Sequence, residues 1–423
     1  MIRKIHFLLV LLIFHQCNTV DDENLLTTVD IESNIDKMEM LKLSSFTNDI
    51  DYISLENVKN LSLQNLNQIT ISENLILVSD ISNCILYNNE GEFVSQIGNN
   101  GRGPEEYQVI FNSALLLGEN PRVYLSSLYD IYEFNINGSF LNKYSESLLI
   151  NNYLSITRWH LINDSLFFGH IANNTGSTTY KAAVFNKYGT IKDEYKNYIT
   201  YNNAMVSSIG GWETYAHIYR FNKSVFYKEL FNDTLFFLNE DYKLIPKYFF
   251  NLGNYKMPLS ERAKDPSLIW NYITLYNVFQ TENYLFLNCR FGHRFPAKRI
   301  TPKLPLIQGG DPVWINTNYV LGVYDKRTRK LLFCKPSNTD NPLFTSGLYN
   351  DIDCGPRFFP KTMVNDSTMG MCIEAKQFKD HVASDDFKNG VAKYPEKKRK
   401  LEEFAENLSE YDNPVLMLVT FNE

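Results

Sequence analysis

A chain of 423 residues has the length of two or three ordinary domains or of one large all-β domain. Hydrophobic residues make up 44% of it, and 29 Phe with 27 Tyr supply a large core and favour strands. A formal net charge of −7 leaves no general basic surface for a phosphate backbone, so nucleic acid is not an expected partner.

The N-terminus reads as an export signal. Arg3 and Lys4 form a cationic head, and residues 7–14 (FLLVLLIF) are an unbroken apolar run, too short to span a bilayer as a mature helix. Cys17 follows within three residues. An apolar run ending at a Cys is similar to a lipoprotein signal, in which that Cys is acylated and becomes the new N-terminus. Gln16 departs from the small residue usual before such a Cys, so a plain secretory signal stays as the alternative. Residues 1–17 are assigned to the signal peptide, with Cys17 as the lipid attachment. Residues 18–45 are assigned to a flexible tether, opening on the polar stretch with Asp21, Asp22 and Glu23. Residues 46–423 are assigned to the folded domain, with no second run of membrane-spanning length.

A polar turn followed by an apolar strand then recurs six times. The copies are Glu73-Asn74 before LILVSD, Glu119-Asn120 before PRVYLSS, Asn163-Asp164 before SLFFGH, Asn222-Lys223 before SVFYKE, Glu282-Asn283 before YLFLNC, and Asn365-Asp366 before STMGMC. Asn and Asp suit tight turns because their side chains bond nearby backbone and tolerate left-handed conformations. A second pattern follows most copies: an apolar pair, a turn on Gly or a substitute, and another strand. It appears around Gly91, Gly138 and Gly189, and in degenerate form around Asp241 and Arg327. The steps from Gly91 to Gly138 and from Gly138 to Gly189 are 47 and 51 residues, the length of a four-stranded propeller blade.

The sixth copy lacks its hairpin. Its missing strand is expected from the other end of the chain: residues 50–55 (IDYISL) pair with residues 414–421 (PVLMLVTF) and close the ring, which removes free sheet edges. The expected fold is therefore all-β, a six-bladed β-propeller with N- and C-terminal strand closure. One helical insertion is expected in the last blade, at Tyr394–Tyr411, where Leu401, Phe404, Leu408 and Tyr411 form one stripe. Its basic run, EKKRK, reads as a solvated face. The scattered cysteines, with no CxxC spacing, argue against a disulfide framework or a structural zinc.

Three segments carry a resemblance to a known group: residues 97–107 (IGNNGRGPEEY), 348–360 (LYNDIDCGPRFFP) and 413–421 (NPVLMLVTF). With the repeats, they make the chain similar to the six-bladed β-propeller lipoproteins of Bacteroidetes, which are NHL-like in shape. The resemblance implies the fold and an outer-membrane lipoprotein, periplasmic or surface-exposed. It implies no biochemical role.

Site candidates come from the loops, since a fold does not set what is bound. Arg102, Glu106 and Tyr107 lie in a glycine-rich loop where Arg102 could clamp an anion; the bland reading is an inter-blade connection with internal pairing. Asp351, Asp353 and Arg357 cluster in another, with a cation site weighed against a capped turn. Trp212 precedes a strand that places Tyr215, His217 and Tyr219 on one face, against a packing alternative. Arg290 and His293 open a long Pro- and Gly-rich insertion, reaching Tyr319, read as the specificity element or a cap. No GxSxG, HExxH or other catalytic signature is present, and neither a metal nor a cofactor is expected. Asp164-Ser165-Leu166, Asp233-Thr234-Leu235 and Asp366-Ser367-Thr368 resemble an O-glycosylation acceptor, though a turn explains their composition equally. The expected function is a monomeric binding or scaffold module of the envelope, taking a glycan, peptide or protein at the channel mouth. The alternative is a propeller lyase or hydrolase with an active site on the channel axis.

Overall fold

The computed structural model describes residues 26–422 apart from 60, 62, 64–65, 67, 73, 128–129, 146–155, 174–175, 202–214, 265, 293–318 and 338–345. The signal segment and Cys17 lie outside the described residues.

The described chain opens with β1 (Thr27–Asp30), β2 (Met38–Glu39) and β3 (Asp49–Ser54). Blade one follows as β4 (Gln68–Ile71), β5 (Leu75–Ser79), β6 (Cys84–Asn88) and β7 (Phe93–Gln96). Blade two is β8 (Asn112–Leu116), β9 (Arg122–Ser127), β10 (Asp130–Asn135) and β11 (Phe140–Ser145). Blade three is β12 (Ile156–Leu161), β13 (Leu166–Ile171), β14 (Tyr180–Asn186) and β15 (Ile191–Lys196). Blade four is β16 (Ala216–Phe221), β17 (Ser224–Glu229), β18 (Thr234–Leu238) and β19 (Leu244–Asn251). Blade five is β20 (Thr274–Gln280), β21 (Tyr284–Arg290), β22 (Tyr319–Asp325) and β23 (Lys330–Cys334). Blade six is β24 (Thr362–Met363), β25 (Thr368–Ile373) and β26 (Val415–Thr420), completed by β3. Among the described residues these make six antiparallel sheets in a ring, a six-bladed β-propeller.

The closure lies where the strand ends of the sequence place it. β26 and β3 pair antiparallel from Val415 opposite Ser54 to Thr420 opposite Asp49. Two strands exceed the expectation. β1 adds a parallel fifth strand to blade four along β19, and β2 does the same to blade five along β23. Residues 26–45 are therefore part of the folded unit rather than tether, with Val29, Ile31, Ile35 and Leu43 buried. They are too short and too polar to announce themselves as strands. Their order comes from covering the outer edges of two sheets, which would otherwise present unpaired backbone groups.

The core is divided among the blade interfaces, and the two-residue strand period produces this division. In β9, Val123 and Leu125 pack toward Leu77 and Leu86 of blade one, while Tyr124 packs toward Phe167 of blade three. Strands buried on both faces read as continuous apolar runs, as in Val225–Tyr227 of SVFYKE and Tyr284–Leu287 of YLFLNC.

Each of the six polar turns joins the first strand of a blade to the second. Asn163 and Asn365 act alike: each side-chain oxygen accepts two backbone N–H bonds across its turn. The glycine-centred turns join third to fourth strands, and each begins on Asn88, Asn135, Asn186, Asn239 or Asp325 accepting backbone bonds. Gly138 sits at φ +81°, and a Cβ there would stand 1.9 Å from the Gln96 carbonyl oxygen of the preceding blade. The degenerate copies place Tyr242 and Arg329 in the same left-handed region, at φ 60° and 56°.

The insertion between β25 and β26 carries three helices among the described residues, where one was expected: α2 (Ala375–Ala383), α3 (Asp385–Asn389) and α4 (Pro395–Glu406), after α1 (Leu259–Lys264). Leu401 and Leu408 are buried as the stripe requires, but Tyr411 lies beyond the helix and is exposed. The basic run is less free than a solvated face. Lys397 donates to the Asn48 carbonyl, tying the insertion to the N-terminal segment, and Lys398 donates to that of Gly390, tying α4 to the end of α3.

Candidate functional site

First-to-second and third-to-fourth strand turns are short and lie on one face of the ring. The other face carries the described connections between blades and between second and third strands, including residues 374–414. Each inner strand starts at that long-loop face, so residues at its start surround the channel mouth.

An arc of cations and tyrosines lines the mouth from blade three to blade six. Arg158, in β12, donates from Nη1 to the Phe111 carbonyl at 3.1 Å. The Tyr215 hydroxyl, just before β16, bonds Asn277 Oδ1 of β20 at 2.5 Å. The Tyr215 and Tyr276 rings meet edge to face at 5.5 Å, and Tyr276 lies 6.4 Å from Tyr319. The fully buried Arg290 guanidinium stacks over Trp270 at 3.9 Å, lies 5.2 Å from the Tyr276 ring centre, and donates to Thr274 Oγ1. The Lys361 ammonium completes the arc, 4.7 Å from the Phe359 ring centre and 5.8 Å from that of Tyr319.

The electrostatics of the arc are one-sided. Burial depresses the pKa of Arg158 and Arg290, and nearby tyrosines offset this only in part. Lys361 keeps solvent contact, yet the surrounding protein lowers its pKa to about 8. Water reaches an amine in a narrow lumen, while low-polarity walls around it still penalise its charge. Among the described residues, no carboxylate enters the electrostatics of Arg158 or Lys361. Burial raises Tyr215 to about 12 and raises Tyr276 and Tyr319, so all three phenols are neutral at pH 7.

Deeper in the lumen, His217 Nδ1 accepts the Val278 backbone N–H at 3.3 Å. A ring nitrogen that accepts carries no proton, so His217 is the Nε2–H tautomer. Desolvation lowers His217 to about 3 and His160 to about 4, with Lys228 and Arg220 adding repulsion. Both imidazoles are neutral at pH 7.

Of the sequence candidates, His217 belongs to this lumen, and Arg290 is fully buried behind Tyr276. Arg357 lies on the same face, donating to the Lys335 carbonyl and stacking over Tyr349. Arg102 is exposed on the connection from blade one to blade two. Glu106 is turned inward on that loop, accepting the Gly103 N–H at 2.7 Å, and Tyr107 is core, edge-on to Phe134. The two aspartates do not converge. Asp351 accepts from the backbone and hydroxyl of Ser44, which pins the N-terminal segment. Asp353 is buried and accepts from Gly355, Asn350 and Tyr52. The two carboxylates are turned to different partners, and no group of three or more His, Cys, Asp or Glu able to hold a metal occurs among the described residues. Trp212 and His293 lie outside the described residues. Arg158, His160, Tyr276, Tyr319 and Lys361 were not singled out from sequence. The available signal was a charged residue inside an inner strand, as in ITRWHL, where alternation puts Arg158 and His160 on one face.

A separate cavity of about 180 Å³ lies between the outer parts of blades four and five, lined by Lys228, Asp233, Lys256, Ile269 and Leu275 among others. Lys228 donates to three carbonyls, of Glu229, Asn232 and Leu275, and Asp233 pairs with Lys256.

A family described as a domain of unknown function, DUF4934, matches residues 26–420. The chain belongs to that family. Its start at residue 26 agrees with the first residue of the folded unit. No curated protein matches the chain. Among solved structures, a Bacteroides fragilis protein described as exported shares 18% identity at a TM-score of 0.67, over 94% of this chain and 100% of that one. A DUF4221 member from Bacteroides vulgatus shares 10% identity at a TM-score of 0.47, over 88% and 96%. The virginiamycin B lyase of Staphylococcus aureus shares 10% at 0.38, over 88% and 99%. At these identities the Bacteroides fragilis likeness speaks for the fold of the DUF4934 chain and not for its activity, and the other two carry no argument. No helix among the described residues is long and apolar enough to cross a membrane.

Proposed function

We propose that this DUF4934 protein is a binding module of the bacterial envelope that takes its ligand at the mouth of the propeller channel. The observation that carries this reading is the arc of Arg158, Tyr215, Tyr276, Tyr319 and Lys361. Arg158, held where burial disfavours its charge and without a carboxylate partner among the described residues, costs the fold stability. A group that supplies the missing counter-charge offsets that cost.

Export is supported by the Arg3–Lys4 head, the apolar run and the exported Bacteroides fragilis neighbour. Acylation at Cys17 would tether the propeller to the outer membrane. Metabolic labelling with a fatty acid should mark the wild-type chain and spare Cys17→Ser; equal labelling of both removes the anchor.

The alternative of an on-axis enzyme draws on the neighbouring imidazoles of His160 and His217. At about 4 and 3 their pKa values lie well below neutrality, where a general base works poorly. Binding is the better supported reading. Pull-downs from envelope extracts, with wild type and an Arg158→Ala/Tyr276→Ala variant as baits, test it. A partner retained by wild type and lost by the variant is expected. No partner, or one held equally by both baits, overturns the proposal.

A further inference from the structure

The lumen-facing edges of the inner strands are capped by side chains from neighbouring blades. Val278 N–H is taken by His217, and Ser113 N–H by Gln68. The Phe111 carbonyl is taken by Arg158, that of Trp159 by Asn112, and that of Ile69 by Thr362. A peptide captured as an added strand needs free main-chain groups along such an edge. At these positions the groups are occupied by side chains that the fold itself supplies. Recognition at the mouth therefore falls to side chains.

Those side chains have a particular chemistry. Arg158 has one N–H committed to Phe111, and no other partner for its planar fork is seen among the described residues. A fork of that kind matches a carboxylate or sulfate in two-point fashion, while Lys361 adds a point charge across the arc. Between them stand neutral phenols and the Asn277 amide, which exchange hydrogen bonds with hydroxyl groups, and ring faces on which a saccharide can stack. The Tyr215, Tyr276 and Tyr319 rings form a continuous run along this wall, with centroids 5.5 and 6.4 Å apart.

We propose that the ligand is an acidic oligosaccharide, with separate carboxylate or sulfate groups paired to Arg158 and to Lys361 and its ring against Tyr276 and Tyr319. This rests on the channel-mouth reading of the function and sharpens it to a ligand class. His217 supplies a neutral Nε2–H donor below the ring rather than a third positive charge.

Calorimetric titration of the mature chain at pH 7 tests the proposal with oligogalacturonate, hyaluronate and chondroitin sulfate oligosaccharides. Methyl-esterified oligogalacturonate serves as the uncharged match, and poly-glutamate as the acidic peptide. Saturable binding of at least one acidic saccharide is expected. Arg158→Gln and Lys361→Met should each weaken it at least tenfold, with melting temperatures showing that both variants fold. If oligogalacturonate is the ligand bound, esterification should weaken it equally. Indifference to esterification, or to both substitutions, overturns the anionic assignment. Poly-glutamate binding as tightly as the best saccharide overturns the saccharide assignment. Binding of none of the three acidic saccharides overturns the inference as a whole. If an envelope partner is nevertheless lost from the Arg158→Ala/Tyr276→Ala bait, the binding module stands without this ligand. If no mouth-dependent partner exists, both fall.

Discussion

The two faces of this propeller are built by different rules. The short-turn face is made of hairpins in which an Asn or Asp side chain satisfies local backbone and a left-handed residue reverses the chain. The capping side chains of its hairpins find partners within a few residues, although the Asn222 N–H reaches Asp366 of another turn. On the long-loop face, Arg158, His217 and Asn277 meet partners about 45 to 60 residues away, contributed by neighbouring blades. It also keeps charges that burial disfavours. The contrast separates a surface selected for closing sheets cheaply from one that tolerates instability, as binding surfaces do.

Three substitutions break or sharpen that contrast. The largest effect on stability belongs to the turn face. Gly138→Ala forces a side chain into φ +81° and against the Gln96 carbonyl, and should cost about 2–3 kcal/mol in urea unfolding with ligand binding intact. A variant as stable as wild type would show that the turn can shift without disturbing the blade before it.

The mouth should answer in the opposite sense. Lys361→Met removes a charge that the fold penalises, so its midpoint of unfolding at pH 7 should rise while ligand is lost. The folded-state pKa of about 8 lies below the ordinary 10.5, so between these values the unfolded chain binds more protons at this group. Its contribution to stability therefore rises with pH across that window. The advantage of Lys361→Met should shrink between pH 7 and pH 9.5. A lowered midpoint at pH 7 would make Lys361 a structural residue and remove it from the site.

The smallest effect is expected at a degenerate hairpin. Arg329 sits at φ 56°, where Gly carries no steric penalty. Arg329→Gly relieves roughly 1–2 kcal/mol of left-handed cost, less the backbone freedom Gly adds to the unfolded chain. A net gain of about 0.5 kcal/mol is expected, read as a small rise in the urea midpoint. A loss would mean that the Arg329 side chain contributes more on the surface than its backbone costs.

Much of the architecture was legible because its determinants are local. Asn163-Asp164 and Asn365-Asp366 announce turns through their own side chains, Gly91, Gly138 and Gly189 announce hairpins, and apolar runs announce strands buried on both faces. Even the closure of β26 on β3 was readable, because two unpartnered strand signals stood at the ends of a repeating pattern. The arc at the mouth was not. Arg158, Tyr215, Tyr276 and Lys361 belong to four different blades, and only the radial arrangement of the sheets brings them to one opening. The roles of Asp351 and Asp353 were likewise decided in space: two residues apart and suited to a cation, they point to Ser44 and to Tyr52, Asn350 and Gly355 instead. The sequence alone determined blade number, order and ring closure, since each is encoded in bonds between near neighbours or in an unpaired strand. Tertiary structure alone decided which side chains share the lumen, because the groups that meet there are set by how each sheet packs on the next.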